Sequence, residues 1–247
     1  MEEEKPLDDP VEFWRTHFRH KEIFIVTHPD MDHLSGLYRL VAQERVPILN
    51  FWDTHNHKNM TTDDFSDGPY DYRDWEQYQT LRNSHTSPRV LRLHRCDEGN
   101  YWTDDGVTIL SPTHALEKLA NDEDNWNHLS YVLRIQHDKS VVILTGDPSQ
   151  EALQDVCETF PDDFLKADLL CAPHHGRDTG YYQPFVKAVS PKYTIVSVGK
   201  KPENDASNKY RQYSECVFST RFHGTMHAKC WSGGDIWLYD HQGRRLS

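Results

Sequence analysis

The stretch IFIVTHPDMDHLSGL, residues 23–37, starts as a strand and ends as a helix, and the loop between them is dense in potential ligands. Its first residues are apolar or β-branched, as in a buried strand. His28, Asp30, Asp32 and His33 then fall within six residues. Apolar residues at 34, 37, 40 and 41 follow at helical spacing, so 33–44 is predicted to be a helix. RVPILNFW (45–52) reads as a second strand. A strand–loop–helix–strand unit predicts parallel pairing and an α/β fold.

Working outward, DDPVEFWRTHFRH (8–20) reads as a helix before the KEIFIVT strand (21–27). Residues 53–88 are polar, acidic and punctuated by Gly and Pro, with one helix, YRDWEQYQTLR, inside them. They read as an insertion, and the aromatic residues Tyr70, Tyr72, Trp75 and Tyr78 suggest a lid. RVLRLHR (89–95) and GVTILSP (106–112) read as strands joined by an acidic turn, and ALEKLAND (115–122) as a short helix. LSYVLRIQHD and KSVVILTGD (129–147) read as a hairpin, followed by a helix over 148–160. ADLLCAP (167–173) and PKYTIVSVG (191–199) are further strands, and the C-terminal stretch from Cys216 reads as hairpin structure turning at Gly233-Gly234. A single domain over 1–247 is the expected organisation.

Composition narrows the function classes. The chain has 247 residues, 36% hydrophobic and 27% charged, with mean hydropathy −0.81. No apolar run approaches membrane-spanning length, and the acidic start MEEEKPLDDP lacks the basic-then-apolar order of a secretion signal, so a cytoplasmic protein without membrane association is expected. Five scattered cysteines without a CxxC argue against a disulfide framework and against a thiolate zinc site. The net charge of −12 disfavours non-specific coating of nucleic acid. The region 186–230 is nonetheless locally basic, through Lys187, Lys192, Lys200, Lys201, Lys209, Arg211, Arg221 and Lys229.

Three segments share one architectural position. Strands end in His28-x-Asp30-x-Asp32-His33, in Asp147 and in His174-His175. Loops at the C-terminal ends of strands converge in layered α/β folds, so ligands from three such loops can surround one site. Neutral imidazole and carboxylate suit Zn²⁺ and Mn²⁺. Two ions about 3.5–4 Å apart need a bridging carboxylate, a position open to Asp147. Taken singly, Asp32 and Asp147 could be helix caps and His174-His175 a polar turn. All three readings at once would require coincidence.

HPDMDH resembles the HxHxDH signature of the metallo-β-lactamase-fold hydrolases, with Asp30 where the second His usually stands. The order HPDMDH, LTGD, APHHG is similar to the hydrolase domain of ComEC-type competence proteins. The resemblance implies a four-layer αββα sandwich with a two-metal site on its edge. By position, His28 and Asp30 would bind one metal and Asp32 and His33 the other. Asp147 would bridge, with His174 completing the second ion. His175 could instead be that ligand, or a proton donor. His128, in NWNHLS, would be a ligand of the first metal or a turn residue.

Two departures from that pattern stand out. The opening β-hairpin appears absent, since most of the 27 residues before His28 read as helix. The open sheet edge this would leave suits a protein partner or a second copy. Where the branch often has a His, SNKYRQ offers Lys209 and Arg211, which could meet substrate phosphate. Asp30 enriches the site in hard oxygen ligands and shifts preference toward Mn²⁺ over Zn²⁺.

The expected activity is a binuclear phosphodiesterase or nuclease that uses a metal-bridging hydroxide oriented by Asp32, on a nucleic-acid or nucleotide substrate. A hydrolase of a lactam, lactone or thioester fits the net charge slightly better, and a non-catalytic interaction module is the alternative from another class.

Overall fold

A computed structural model describes residues 7–17, 23–200 and 203–247. The architecture is mixed α/β, and the chain divides into two compact units. Asp9–Leu93 and His114–Leu129 form the first, while His94–Thr113 and Ser130–Ser247 form most of the second.

The first unit contains α1 (Pro10–His17), β1 (Ile23–Ile25), α2 (Met31–Leu34), β2 (Asn50–Asp53), α3 (Tyr72–Arg82), β3 (Arg89–Arg92) and α4 (His114–Glu123). Positions 18–22, which the sequence assigned to the ends of a helix and a strand, lie outside the described residues. The three strands pair in parallel, in the order β1-β2-β3, which makes β1 and β3 the edges. α3 begins where Asp71 caps it, its side chain accepting the Arg73 N–H at 2.9 Å. Trp75, Tyr78 and Leu81 of α3 are buried with Phe51, Leu34 and Leu40, so this helix is integral to the core of the unit. Tyr70 is exposed.

Two expectations need correction here. The helix predicted over 33–44 is broken: α2 stops at Leu34, Gly36 takes φ +94°, and Arg39–Gln43 winds as a π-helix. The buried carboxylate of Asp74 holds the break, accepting the Gly36 N–H at 3.0 Å and the Tyr38 N–H at 2.8 Å. The strand predicted from Arg45 begins only at Asn50. Val46 and Ile48 are still core, but Pro47 between them has no N–H to give a ladder.

The second unit carries β4 (Val107–Ser111), β5 (Val132–His137), β6 (Ser140–Leu144), α5 (Gln150–Thr159), α6 (Asp162–Leu165), β7 (Leu169–Cys171), α7 (Gln183–Val189), β8 (Tyr193–Val196), α8 (Ser207–Tyr210), β9 (Cys216–Ser219), α9 (Thr220–His223), β10 (His227–Cys230) and β11 (Ile236–Tyr239). Its sheet runs β4-β5-β6-β7-β8-β9, antiparallel as far as β6 and parallel from there. Side chains alternate between the faces. Ile143, Leu170 and Val196 pack with Leu153, Val156, Phe185 and Val189 of α5 and α7. Val142, Leu169 and Ile195 pack with Ile236 and Leu238 of β11.

Two more corrections fall here. The strands read as joined by an acidic turn, β3 and β4, lie in different sheets. CVFS is not hairpin structure but β9, the parallel neighbour of β8, and only β10 and β11 form the hairpin. Among the described residues, no helix is long and apolar enough to cross a membrane. All five cysteines are free.

Candidate metal centre

Each unit presents its own set of imidazoles and carboxylates at the ends of its strands. In the first unit the set follows β1. His28 is buried, His33 is mostly buried, and Asp30 and Asp32 are part-exposed. His28 Nε2 lies 3.5 Å from Asp30 Oδ2, and His33 Nε2 lies 3.9 Å from Asp32 Oδ2. The two rings pack with centroids 4.2 Å apart. Asp32 falls inside the first turn of α2 rather than at its N-cap, so it is not there as a cap.

Thr27 was not flagged by the sequence reading, yet it touches both rings. Its Oγ1 lies 3.1 Å from His28 Nδ1 and 3.3 Å from His33 Nδ1. A hydroxyl oxygen has two lone pairs and can accept both ring N–H groups, which leaves both Nε2 atoms as lone-pair donors. That is the tautomer a metal requires. Thr27→Val is therefore expected to weaken metal binding by about 10–100-fold, the usual cost of removing an outer partner of a ligand. Thr27→Ser should restore it, and chelator competition measures both.

Lys58 is the second residue that sequence reasoning missed, since it lies twenty-eight residues on from Asp30 with a helical segment and a strand between them. Its ammonium donates to Asp30 Oδ1 at 2.6 Å. Oδ2 is then the oxygen that Asp30 offers to an ion. His128 is buried on the 3₁₀ turn Trp126–Leu129, its Nε2 3.1 Å from Asn125 Nδ2 and 3.3 Å from Glu123 Oε2.

In the second unit, the parallel run β6-β7-β8 directs its C-terminal ends one way, and the candidate ligand residues sit on the loops that follow. Asp147 is buried after β6, and its backbone N–H donates to Ser130 Oγ at 2.9 Å. Ser149, not Asp147, caps α5 by accepting the Ala152 N–H at 3.1 Å. Asp147 is thus free of the capping role that its position suggested. Burial and the Asp147 charge push the Cys171 thiol up to about 11.

After β7, His174 and His175 both take left-handed backbone, with φ 48° and 55°. Each such residue costs on the order of 1 kcal/mol. The turn is held by the His174 N–H, which donates to Gly146 O at 3.1 Å. Gly180 lies against it so closely that a Cβ there would come within 2.5 Å of His174 Cβ. The result aims both rings at Asp147, with Nε2–Oδ2 distances of 3.7 Å for His174 and 3.4 Å for His175. His175 Nδ1 donates to Ser197 O at 2.9 Å, which fixes its proton on Nδ1 and leaves Nε2 bare. His174 Nδ1 meets Thr179 Oγ1 at 3.1 Å. The geometry therefore offers both rings as donors beside Asp147.

Lys209 and Arg211, named from sequence as phosphate contacts, lie at the end of α8. Lys209 is half-exposed and bonded to Asp178 at 2.7 Å, and Arg211 is exposed.

By class, the chain is a mixed α/β protein with imidazoles and carboxylates clustered in each unit. No family model matches it. It is 32% identical over 118 residues to ComE operon protein 3 of Bacillus subtilis (strain 168), covering 46% of this chain and 15% of that protein. It is 26% identical over 131 residues to the uncharacterized protein YcaI of Escherichia coli (strain K12), covering 51% of this chain and 17% of that protein. The chain thus matches under a fifth of the length of these relatives.

Proposed function

We propose that the chain is a binuclear metal-dependent hydrolase of phosphodiester bonds, with the αββα sandwich of the metallo-β-lactamase-fold enzymes. The observation that carries this reading is a spacing. Four imidazole–carboxylate pairs stand 3.4–3.9 Å apart. That is longer than a hydrogen bond, which for these atoms is about 2.7–3.2 Å. Two ligands on one tetrahedral ion, each at about 2.0–2.1 Å, are separated by roughly 3.3–3.4 Å. The pairs are therefore near the distance two donors keep when they share an ion. The nitrogen and carboxylate donors also match the chemistry of Zn²⁺ and Mn²⁺.

By the resemblance, His28, Asp30, Asp32, His33 and His128 would be metal ligands, as would Asp147 and His174 or His175. Divalent ions supply Lewis acidity, acidifying water and offsetting charge on phosphoryl oxygens. The protein's own contribution is order. Thr27 and Ser197 hold ring protons on Nδ1, Ser130 fixes the Asp147 turn, and Asp32 is half-open to accept a proton from an attacking water. Lys209 and Arg211 would meet the substrate phosphate. Similarity to ComE operon protein 3 accords with the resemblance to ComEC-type competence proteins.

Parallel assays on a generic phosphodiester and a generic thioester, in Mn²⁺ and in Zn²⁺, test it. Turnover of the phosphodiester alone is expected. Turnover of the thioester alone would move the assignment to acyl hydrolysis, and turnover of neither to an interaction module.

A further inference from the structure

The second unit also carries a polar cavity of about 480 Å³ at the opposite end of its sheet from Asp147 and His175. It lies at the N-terminal ends of β6, β7 and β8 and is lined by Arg134, Lys139, Lys166 and Lys192, together with Asp163, Asp168 and Glu215. Asp163 pairs with Lys166 at 2.7 Å and Asp168 accepts the Val141 N–H at 2.8 Å, while Glu215 is near enough to Lys192 to favour its charge without bonding to it.

Arg134 is different. Its residue is only 9% exposed. Its Nε donates to Phe164 O at 2.9 Å and its Nη1 to Gln136 Oε1 at 3.0 Å, and its plane lies over the Phe164 ring. Both acceptors are neutral. Among the described residues no carboxylate lies within ion-pair distance of Arg134 or Lys139, and the Arg134 Nη2 makes no hydrogen bond. A cation removed from water without a counter-charge is costly, and burial already works against the charge on Arg134. A mobile anion would supply the missing charge. A guanidinium with a free edge and an ammonium lining the same cavity suit a phosphate, which offers several oxygens.

We propose that this cavity binds a phosphate-bearing ligand through Arg134 and Lys139, at a site separate from the Asp147, His174 and His175 cluster of the same unit. The ligand is either a free phosphomonoester or a phosphate of a nucleic-acid strand.

The test uses the full chain carrying Asp147→Ala, in chelator, so that it does not depend on any metal. Inorganic phosphate, a mononucleotide and a single-stranded oligonucleotide without terminal phosphates are titrated calorimetrically. Saturable binding of at least one of them is expected, and both Arg134→Gln and Lys139→Glu should weaken it at least tenfold. Tighter binding of the oligonucleotide identifies a strand, and tighter binding of the mononucleotide identifies a free ligand. Lys139 is exposed, so its variant decides the matter if Arg134→Gln does not fold. No binding of any probe, or binding unchanged in Lys139→Glu, overturns the proposal.

Discussion

Asp147→Ala is expected to abolish hydrolysis and to lower metal affinity by more than a hundredfold. Outer partners of a ligand already cost about 10–100-fold when removed, and Asp147 is the carboxylate that both His174 and His175 face. Folding should survive, because Ser149 caps α5 and Ile143, Leu170 and Leu153 form the core beneath. The two consequences separate in a melting experiment. Metal at a hundred times its Kd stabilises by about 2.7 kcal/mol, and a domain of this size shifts roughly 2–4 °C per kcal/mol. With two ions bound, each contributing that much, the parent chain should therefore gain on the order of 10–20 °C, and Asp147→Ala should gain none. A variant that melts normally in chelator and is still stabilised by metal would count against the assigned role.

The second large effect concerns stability. Asp53 is fully buried at the end of β2 and holds three partners. Tyr78 donates its hydroxyl to Oδ1 at 2.5 Å, while Arg92 Nε at 3.0 Å and Arg82 Nε at 3.1 Å face Oδ2. Burial and the Asp53 charge push the Tyr78 phenol well above its ordinary range, so it remains a donor. The carboxylate thus ties β2, α3 and β3 together. Asp53→Ala leaves two guanidinium groups without their counter-charge, and breaking such a pair from one side costs about 3–5 kcal/mol. Urea unfolding of the metal-free chain should show a loss of that size. A loss below about 1 kcal/mol would mean that the arginines find water or other partners.

Much of this was legible in the chain because it is local. α3 was read at its observed bounds, since Asp71 supplies a cap and the chain leaves the helix after Arg82. The hairpin of β5 and β6 and the candidate ligand residues after β1, β6 and β7 were visible as apolar runs ending in polar turns. What was not legible depends on residues distant in sequence. The break at Gly36 is fixed by Asp74, thirty-eight residues on. β9 is a strand because β8 lies beside it, and CVFS alone does not say so. Lys58 and the Ser197 carbonyl reach Asp30 and His175 only in the folded chain. Thr27 was readable in principle, as the polar residue directly before the first His, but its contact with two rings needs the turn of α2.

The most direct test is elemental analysis of the full chain after equilibration with Mn²⁺ or Zn²⁺ and removal of free ion, with Asp147→Ala treated alongside. The account predicts two ions per parent chain and loss of both in the variant. Fewer than one ion per parent chain, or equal content in parent and variant, would contradict it.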